Sequence, residues 1–115
     1  MSLLSDLKTL LAGKTINIPA ETGVFTTTPA PAVFCVLTPL GETLQCADDK
    51  PVTEVPSVRI DLYDKGNYTA TAKTIRKAIV NEGLTISQSR YIEHEDDTGY
   101  YHYAIDVESV AQWEE

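Results

Sequence analysis

Residues 55–84, VPSVRIDLYDKGNYTATAKTIRKAIVNEGL, carry the clearest structural signal in the chain. Apolar and polar residues alternate from Val58 to Tyr63, and this period of two predicts a half-buried strand. Lys65 and Gly66 interrupt the alternation, and Asn67 is a favourable N-cap for a helix that continues to Glu82. The segment therefore predicts a strand followed directly by a capped helix.

The predicted helix has one apolar side and a well-defined end. Apolar residues recur at spacings of three or four positions: Tyr68, Ala72, Ile75 and Ile79. Gly83 suits the left-handed position after the helix, and Leu84 stands where a Schellman cap would pack it against Ile79. We expect this helix to cover a sheet that contains the preceding strand and the strand that follows Leu84.

The N-terminal segment predicts a second helix, beginning after Ser2 and ending at Gly13. Its leucines form one stripe: Leu3, Leu4, Leu7, Leu10 and Leu11. We expect this stripe to pack in the core, although a leucine stripe can also bind a partner.

Two further strands are predicted before residue 39. Ile16 and Ile18 indicate a short edge strand that ends at Pro19. Residues 32–38 form a nearly continuous apolar run, which predicts a central strand covered on both faces. Cys35 lies within this run and is interpreted as a small core residue, not as a nucleophile or part of a disulfide with Cys46.

Residues 39–56 do not resemble core, because Pro39, Gly41, Pro51 and Pro56 punctuate them. They form either a long hairpin arm or a loop, and loops of this length in compact domains usually have a function. We favour an arm that projects from the domain and takes part in assembly, with Leu44, Asp48 and Asp49 as contact residues.

The C-terminal part predicts a hairpin with one buried face. Asp96-Asp97-Thr98-Gly99 is typical of a turn, and it separates residues 85–95 from the alternating strand 100–107. Residues 108–115 form a short helical or frayed tail that contains Trp113. The whole chain is thus expected to be a single α+β domain, 1–115, with a mainly antiparallel sheet of four to five strands and both helices on one face. The other face is expected to be semi-polar and available for association.

Composition excludes several classes of function. The net charge is −8 in 115 residues, which argues against docking on the outside of nucleic acid. No apolar run approaches the ~20 residues of a membrane span, and no signal peptide is visible at the start. The acidity either keeps the protein soluble or forms a surface that DNA passes without binding.

The chain resembles the tail-terminator and tail-completion (head-to-tail joining) proteins of long-tailed bacteriophages and prophages. The matching pieces are the leucine-rich start, Val33-Phe34-Cys35-Val36, the strand 58–63, the helix 71–81 with Glu82-Gly83-Leu84, and the strand 101–107. The resemblance is one of order and pattern, and it includes no catalytic motif.

The resemblance implies a non-enzymatic structural protein of the virion that needs no cofactor and is assembled in the bacterial cytoplasm. Such proteins form a ring, usually of six subunits, at the head-proximal end of the tail. The implied partners are copies of itself, the tail-tube protein and the head–tail connector. DNA would pass through the lumen without specific binding.

Charged residues suggest how such a ring could close. Lys73, Arg76 and Lys77 share one helix face, with the apolar Val80 among them. The last hairpin carries the acidic residues Glu93, Glu95, Asp96 and Asp97. These are either two solvated faces or the two halves of a head-to-tail contact between subunits.

Two other classes of function are left open. With a three-residue turn, His94 and His102 would be cross-strand neighbours and, with Glu93 or Glu95, could hold a divalent metal in a small binding or enzymatic domain. A four-residue turn would shift the register by one and separate them. The other alternative is a monomeric acidic regulator that binds a protein partner.

Overall fold

The computed structural model describes residues 3–26, 28–47, 50–109 and 111–112, with backbone alone for 42–47, 50–54 and 111–112. The elements are α1 (Leu3–Ala12), β1 (Ala20–Thr22), β2 (Val33–Ala47), β3 (Lys50–Asp64), α2 (Tyr68–Asn81), β4 (Thr85–His94), β5 (Tyr101–Glu108) and β6 (Ala111–Gln112). The predicted α+β class is confirmed.

The strands form one open, mixed sheet in the order β1-β2-β3-β5-β4, and β6 pairs with β3. β1 is parallel to β2, and the other pairs are antiparallel. β3 and β4 therefore run in the same direction with β5 between them. Helix α2 connects β3 to β4, so the unit is a split β-α-β arrangement.

The hydrophobic core lies between the two helices and one face of the sheet. Its buried members from the helices are Leu3, Leu7, Leu11, Ala72, Ile75 and Ile79. Those from the sheet are Cys35, Leu37, Val58, Ile60, Leu62, Ile105 and Val107. The predicted leucine stripe is thus confirmed as core, and the predicted alternation in β3 is confirmed as well.

Both predicted caps of α2 are present. The side chain of Asn67 accepts a hydrogen bond from the Ala70 amide at 3.2 Å. At the other end the amides of Leu84 and Gly83 donate to the carbonyls of Ile79 and Val80, at 3.2 and 3.0 Å. Gly83 has φ = +82°, so these bonds form a Schellman motif.

Asp64 joins the end of β3 to the start of α2. Its carboxylate is almost fully buried, with the residue 3% exposed. One oxygen accepts from the Gly66 amide at 2.7 Å, and the other accepts from the Thr71 hydroxyl at 2.7 Å. These bonds fix the short connection and orient the helix on the sheet.

The predicted edge strand at Ile16 and Ile18 is wrong. The amide of Ile18 donates to the Leu11 carbonyl at 2.9 Å, and that of Asn17 donates to the Gly13 carbonyl at 2.7 Å. These donors satisfy the C-terminal end of α1 and cannot join a sheet. The strand forms later, at Ala20–Thr22, and pairs with Cys35–Leu37 in parallel.

Aromatic side chains cover one end of the second sheet face. The Phe34 ring contacts Phe25 and Tyr63, with centroid distances of 4.3 and 4.9 Å. The Tyr100 ring packs edge-on against Phe34, and its hydroxyl donates to the Pro31 carbonyl at 2.6 Å. The expectation of a β2 covered on both faces is met at Phe34, whereas Val36 is only half-buried.

Residues 39–56 continue the hairpin, as predicted, and the part of this arm in assembly stays a prediction. β2 and β3 remain paired as far as Ala47 and Lys50, and the described part of the protein measures 52 × 27 × 24 Å. The side chain of Leu44 and the whole of Asp48 and Asp49 lie outside the described residues, as does Trp113. In the predicted tail, residues 111–112 pair with Thr53 and Glu54 of β3 instead of forming a helix.

We expect Asp64→Ala to lower the free energy of unfolding by about 2 kcal/mol, because the Gly66 amide loses its acceptor and the half-buried Thr71 hydroxyl keeps only the Asn67 carbonyl. Asp97→Ala is the matched control, since Asp97 is exposed at a turn and should change stability by less than about 0.5 kcal/mol. Urea titration followed by circular dichroism measures both values. Equal effects of the two substitutions would contradict the structural role of Asp64.

Cys35 is fully buried, and this burial raises the pKa of Cys35 to about 12, with smaller contributions from Asp61 and Asp64. An unfolded chain loses the same proton near pH ~8.5. Between these pH values only the unfolded state releases the proton, so stability should fall as pH rises.

In a Cys46→Ser background, we expect the Cys35 thiol to react with a disulfide reagent at neutral pH only after urea unfolding. The free energy of unfolding should fall between about pH 8 and about pH 10.5, and it should fall less in a variant that also carries Cys35→Ala, because that variant has no thiol proton to release. Rapid reaction of the folded protein, or an unchanged pH dependence, would contradict this assignment.

Candidate assembly surfaces

The basic face of α2 contains one internally bound side chain and two that extend into solvent. Lys73 and Lys77 are exposed. Arg76 is half-buried: one guanidinium nitrogen donates to the Tyr103 hydroxyl at 2.8 Å, and the guanidinium lies 5.7 Å from the centroid of the same ring. Arg76 therefore anchors α2 to β5, which reduces its availability to a neighbouring subunit.

An open depression of about 440 Å³ separates this face from the outer strand β4. It is lined by Lys73, Arg76, Lys77, Val80, Asn81 and Ile86. Val80 is 60% exposed, on the side of α2 that faces away from the core. We call this depression the α2 groove; its lining combines apolar residues with basic ones.

The turn between β4 and β5 has four residues. The Glu95 amide donates to the Tyr100 carbonyl at 2.8 Å, the Gly99 amide donates to the Glu95 carbonyl at 2.7 Å, and Gly99 has φ = +82°. The register accordingly places His94 opposite Tyr101 and Glu93 opposite His102. The hypothesis that His94 and His102 are cross-strand neighbours is wrong. Glu93 occupies the position opposite His102, and His94, the next residue along β4, faces the other side of the sheet.

The two histidines have separate environments. His102 lies 2.8 Å from an Asp61 oxygen and stacks on Tyr63 at a centroid distance of 4.4 Å. His94 lies 3.2 Å from an oxygen of the exposed Asp96 and 4.4 Å from the ring centroid of Tyr101. Within the described ranges, no three metal-ligating side chains form a cluster. Both imidazoles have local partners that explain their positions.

The predicted acidic residues do gather at this turn. Glu93, Asp96 and Asp97 are exposed, and a Glu95 oxygen accepts from the Thr98 hydroxyl at 2.8 Å. The turn lies at the end of the sheet where β3 finishes, whereas the hairpin arm lies at the opposite end. The arm and the acidic turn are therefore the two ends of an elongated subunit.

Polar groups on the second sheet face are paired within the chain. Arg59 donates to both oxygens of Asp106, at 2.8 and 3.1 Å, and this bond raises the pKa of Arg59. Burial raises the pKa of Tyr63, and the negative charge of Asp61 adds to the shift. The second face is therefore semi-polar, as the sequence predicted, but the charged groups of Arg59 and Asp106 are bound to each other within the chain.

The outer side of β1 and β2 carries two exposed apolar residues, one just after β1 and one within β2. Val24 is 61% exposed and Leu40 is 45% exposed. Leu40 is the extra residue of a bulge between Pro39 and Gly41, where it has no partner on β3. Sequence reasoning did not identify this patch; the only available signal was the Pro-Leu-Gly triplet at the bulge. We call it the β1/β2 edge.

The chain was compared with known proteins by sequence and by structure. No protein-family model and no curated protein sequence matches it. A chain in the solved structure "Virion of native gene transfer agent (GTA) particle" is similar, with a TM-score of 0.55 and 14% sequence identity. The similarity covers 91% of this chain and 85% of the other, so the two share a fold over nearly their whole lengths.

None of the described helices is long and apolar enough to cross a bilayer.

The two kinds of basic residue on α2 should respond differently to charge reversal. Arg76→Glu removes the bond to Tyr103, and we expect it to lower the free energy of unfolding by about 1 kcal/mol. Lys77→Glu and Lys73→Glu are the matched controls, and each should stay within about 0.5 kcal/mol of the parent protein. Thermal and urea unfolding measure the three values; equal stability of all three variants would contradict an anchoring role for Arg76.

Proposed function

We propose that this chain is a structural protein of a phage-like virion and forms a ring at the head-proximal end of the tail. The observation that carries the proposal is the fold shared with a gene transfer agent virion chain over 91% of the sequence. The pattern resemblance to tail-terminator and tail-completion proteins supports the more specific role. In that role the ring ends growth of the tail tube and joins the tail to the head.

The distribution of surfaces fits a ring better than a symmetric dimer. A head-to-tail contact needs two different patches on each subunit, and it gives a closed ring when the rotation between neighbours divides a full turn. The α2 groove and the β1/β2 edge are such a pair of unlike patches, and the acidic turn is a third. The family resemblance suggests six copies.

The elongated hairpin fits contact between successive rings. β2 and β3 each have 15 residues and continue beyond the pairing with β5, which stops at Ser57. A hairpin that leaves the body of the subunit can reach a tail-tube ring or a connector ring. The net charge of −8 favours a lumen through which DNA passes without binding.

A stoichiometric, non-catalytic role also agrees with the chemistry of the described side chains. The Cys35 thiol is buried and protonated, and the carboxylates with the least exposure, Asp64 and Asp106, are held by hydrogen bonds inside the chain. The binding or enzymatic alternative has lost the paired histidines on which it depended. The monomeric-regulator alternative becomes an outcome of the experiment below.

The experiment measures the mass of the purified protein by native mass spectrometry, alone and with the tail-tube protein from the same genome. We expect a ring, either free or at the ends of tubes in negative-stain micrographs. Tubes grown with the protein should be shorter than tubes grown without it, because capped ends cannot add further rings. A heat-unfolded sample at equal concentration controls for non-specific effects on polymerisation.

A protein that stays monomeric with and without tubes, and leaves tube length unchanged, would overturn the proposal. A monomer that instead captures one soluble protein with defined stoichiometry would support the regulator alternative.

A further inference from the structure

We propose that neighbouring subunits of the ring contact each other through the α2 groove of one copy and the β1/β2 edge of the next. This inference rests on the proposed ring and specifies the surfaces that close it. It assigns the basic face of α2 to the β1/β2 edge, and not to the acidic turn between β4 and β5.

The two patches lie at opposite edges of the sheet. The strand order β1-β2-β3-β5-β4 places the β1/β2 edge at one side and β4, which borders the α2 groove, at the other. Subunits placed side by side therefore bring the groove of one copy against the β1/β2 edge of its neighbour. A contact between such opposite patches repeats around a ring without using the same patch twice.

The two patches also lie at the same height along the strands. Pro39 pairs with Val58, Val58 with Val107, and Val107 with Ile86. Leu40 directly follows Pro39, so Leu40 and Ile86 stand in neighbouring rows on opposite edges. A closed ring has no translation along its axis, and patches at equal height meet this condition when the strands run along that axis.

The acidic turn does not share this height. Ile86 pairs with Val107 and His94 pairs with Tyr101, six positions away along β5, so the acidic turn begins roughly 20 Å from Ile86 at about 3.3 Å per residue. With the strands along the axis, a contact between the α2 groove and the acidic turn would shift each copy along the axis and generate a helix instead of a ring. The acidic turn and the arm then face the two open ends of the ring.

The chemistry of the two patches is complementary. Val80 and Ile86 in the groove face an edge on which Val24 and Leu40 are exposed, and burying such pairs is favourable. The charged residues of segment 73–80 are all basic: Lys73 and Lys77 are exposed, and Arg76 is bound to Tyr103. Those of segments 20–26 and 33–42 are Glu21 and Glu42, both acidic. Glu21 is half-buried, and its carboxylate also accepts hydrogen bonds from the amide and the hydroxyl of Thr26, at 3.3 and 2.8 Å. Opposite charge around an apolar centre favours this pairing over contact between two identical patches.

Disulfide trapping in assembled rings tests the contact. On a Cys46→Ser background, with the buried Cys35 retained, we combine Val80→Cys with Leu40→Cys in one chain and oxidise with copper phenanthroline. We expect a ladder of covalent oligomers that rises to the full ring and collapses on reduction. Val80→Cys alone and Leu40→Cys alone should stay monomeric on the denaturing gel.

Two further combinations identify the competing contacts. Val80→Cys with Ile92→Cys is the matched control, because Ile92 is also an exposed bulge residue, but it lies six positions from Ile86 along β4. Val80→Cys with Asp97→Cys traps the alternative contact with the acidic turn. A ladder in this last variant but not in the Leu40 variant would overturn the inference, and so would a dimer from Val80→Cys alone.

Loss of assembly provides an independent measurement. We expect Leu40→Asp and Val80→Asp each to convert the ring to monomers of unchanged far-ultraviolet circular dichroism, whereas Ile92→Asp should leave the ring intact. Rings that survive both substitutions would overturn the inference. If the parent protein forms no ring at all, the proposed function fails; if the parent forms a ring and the Leu40–Val80 ladder is absent, only this inference fails.

Discussion

The pairing of β3 with β2 on one side and β5 on the other is the constraint on which the structure depends. It places Val58, Ile60 and Leu62 in the core, where each is at most 3% exposed. The same strand ends at Asp64, whose buried carboxylate fixes the beginning of α2. A shift of one residue in this register would move the apolar residues of β3 to the other face and remove the surface on which both helices pack.

The surfaces available for assembly are consequences of the same pairing. β2 and β3 are longer than β5, so their ends continue as a hairpin beyond the body of the subunit. The strand order leaves β1/β2 and β4 as outer edges, and bulges on both edges interrupt the regular pairing. Bulged outer strands resist uncontrolled strand addition, which agrees with side-chain contacts in the proposed ring.

Predictions that depend on nearby residues succeeded for α2, whereas the prediction for the two histidines depended on strand register and failed. The α2 caps depend on residues within a few positions of each other, and Asn67, Gly83 and Leu84 adopt the predicted roles. The relation of His94 to His102 depends on whether the turn contains three or four residues, and both lengths are compatible with Asp-Asp-Thr-Gly. One residue in a turn therefore determined which side chains share a face.

The sequence by itself determined the succession α1, β2, β3, α2, β4 and β5, both helix faces, the buried state of Cys35 and the α+β class, because apolar periodicity and capping are local properties. Tertiary structure alone decided that Arg76 binds Tyr103, that residues 13–18 close the end of α1, and that Leu40 is exposed at a bulge. The first and the third depend on contacts or register between distant segments. The second depends on hydrogen bonds from Asn17 and Ile18 to Gly13 and Leu11, which the spacing of apolar residues does not reveal. The β1/β2 edge was missing from the sequence prediction for the same reason: exposure of an apolar residue in a strand depends on the number of strands beside it, and local periodicity does not encode that number.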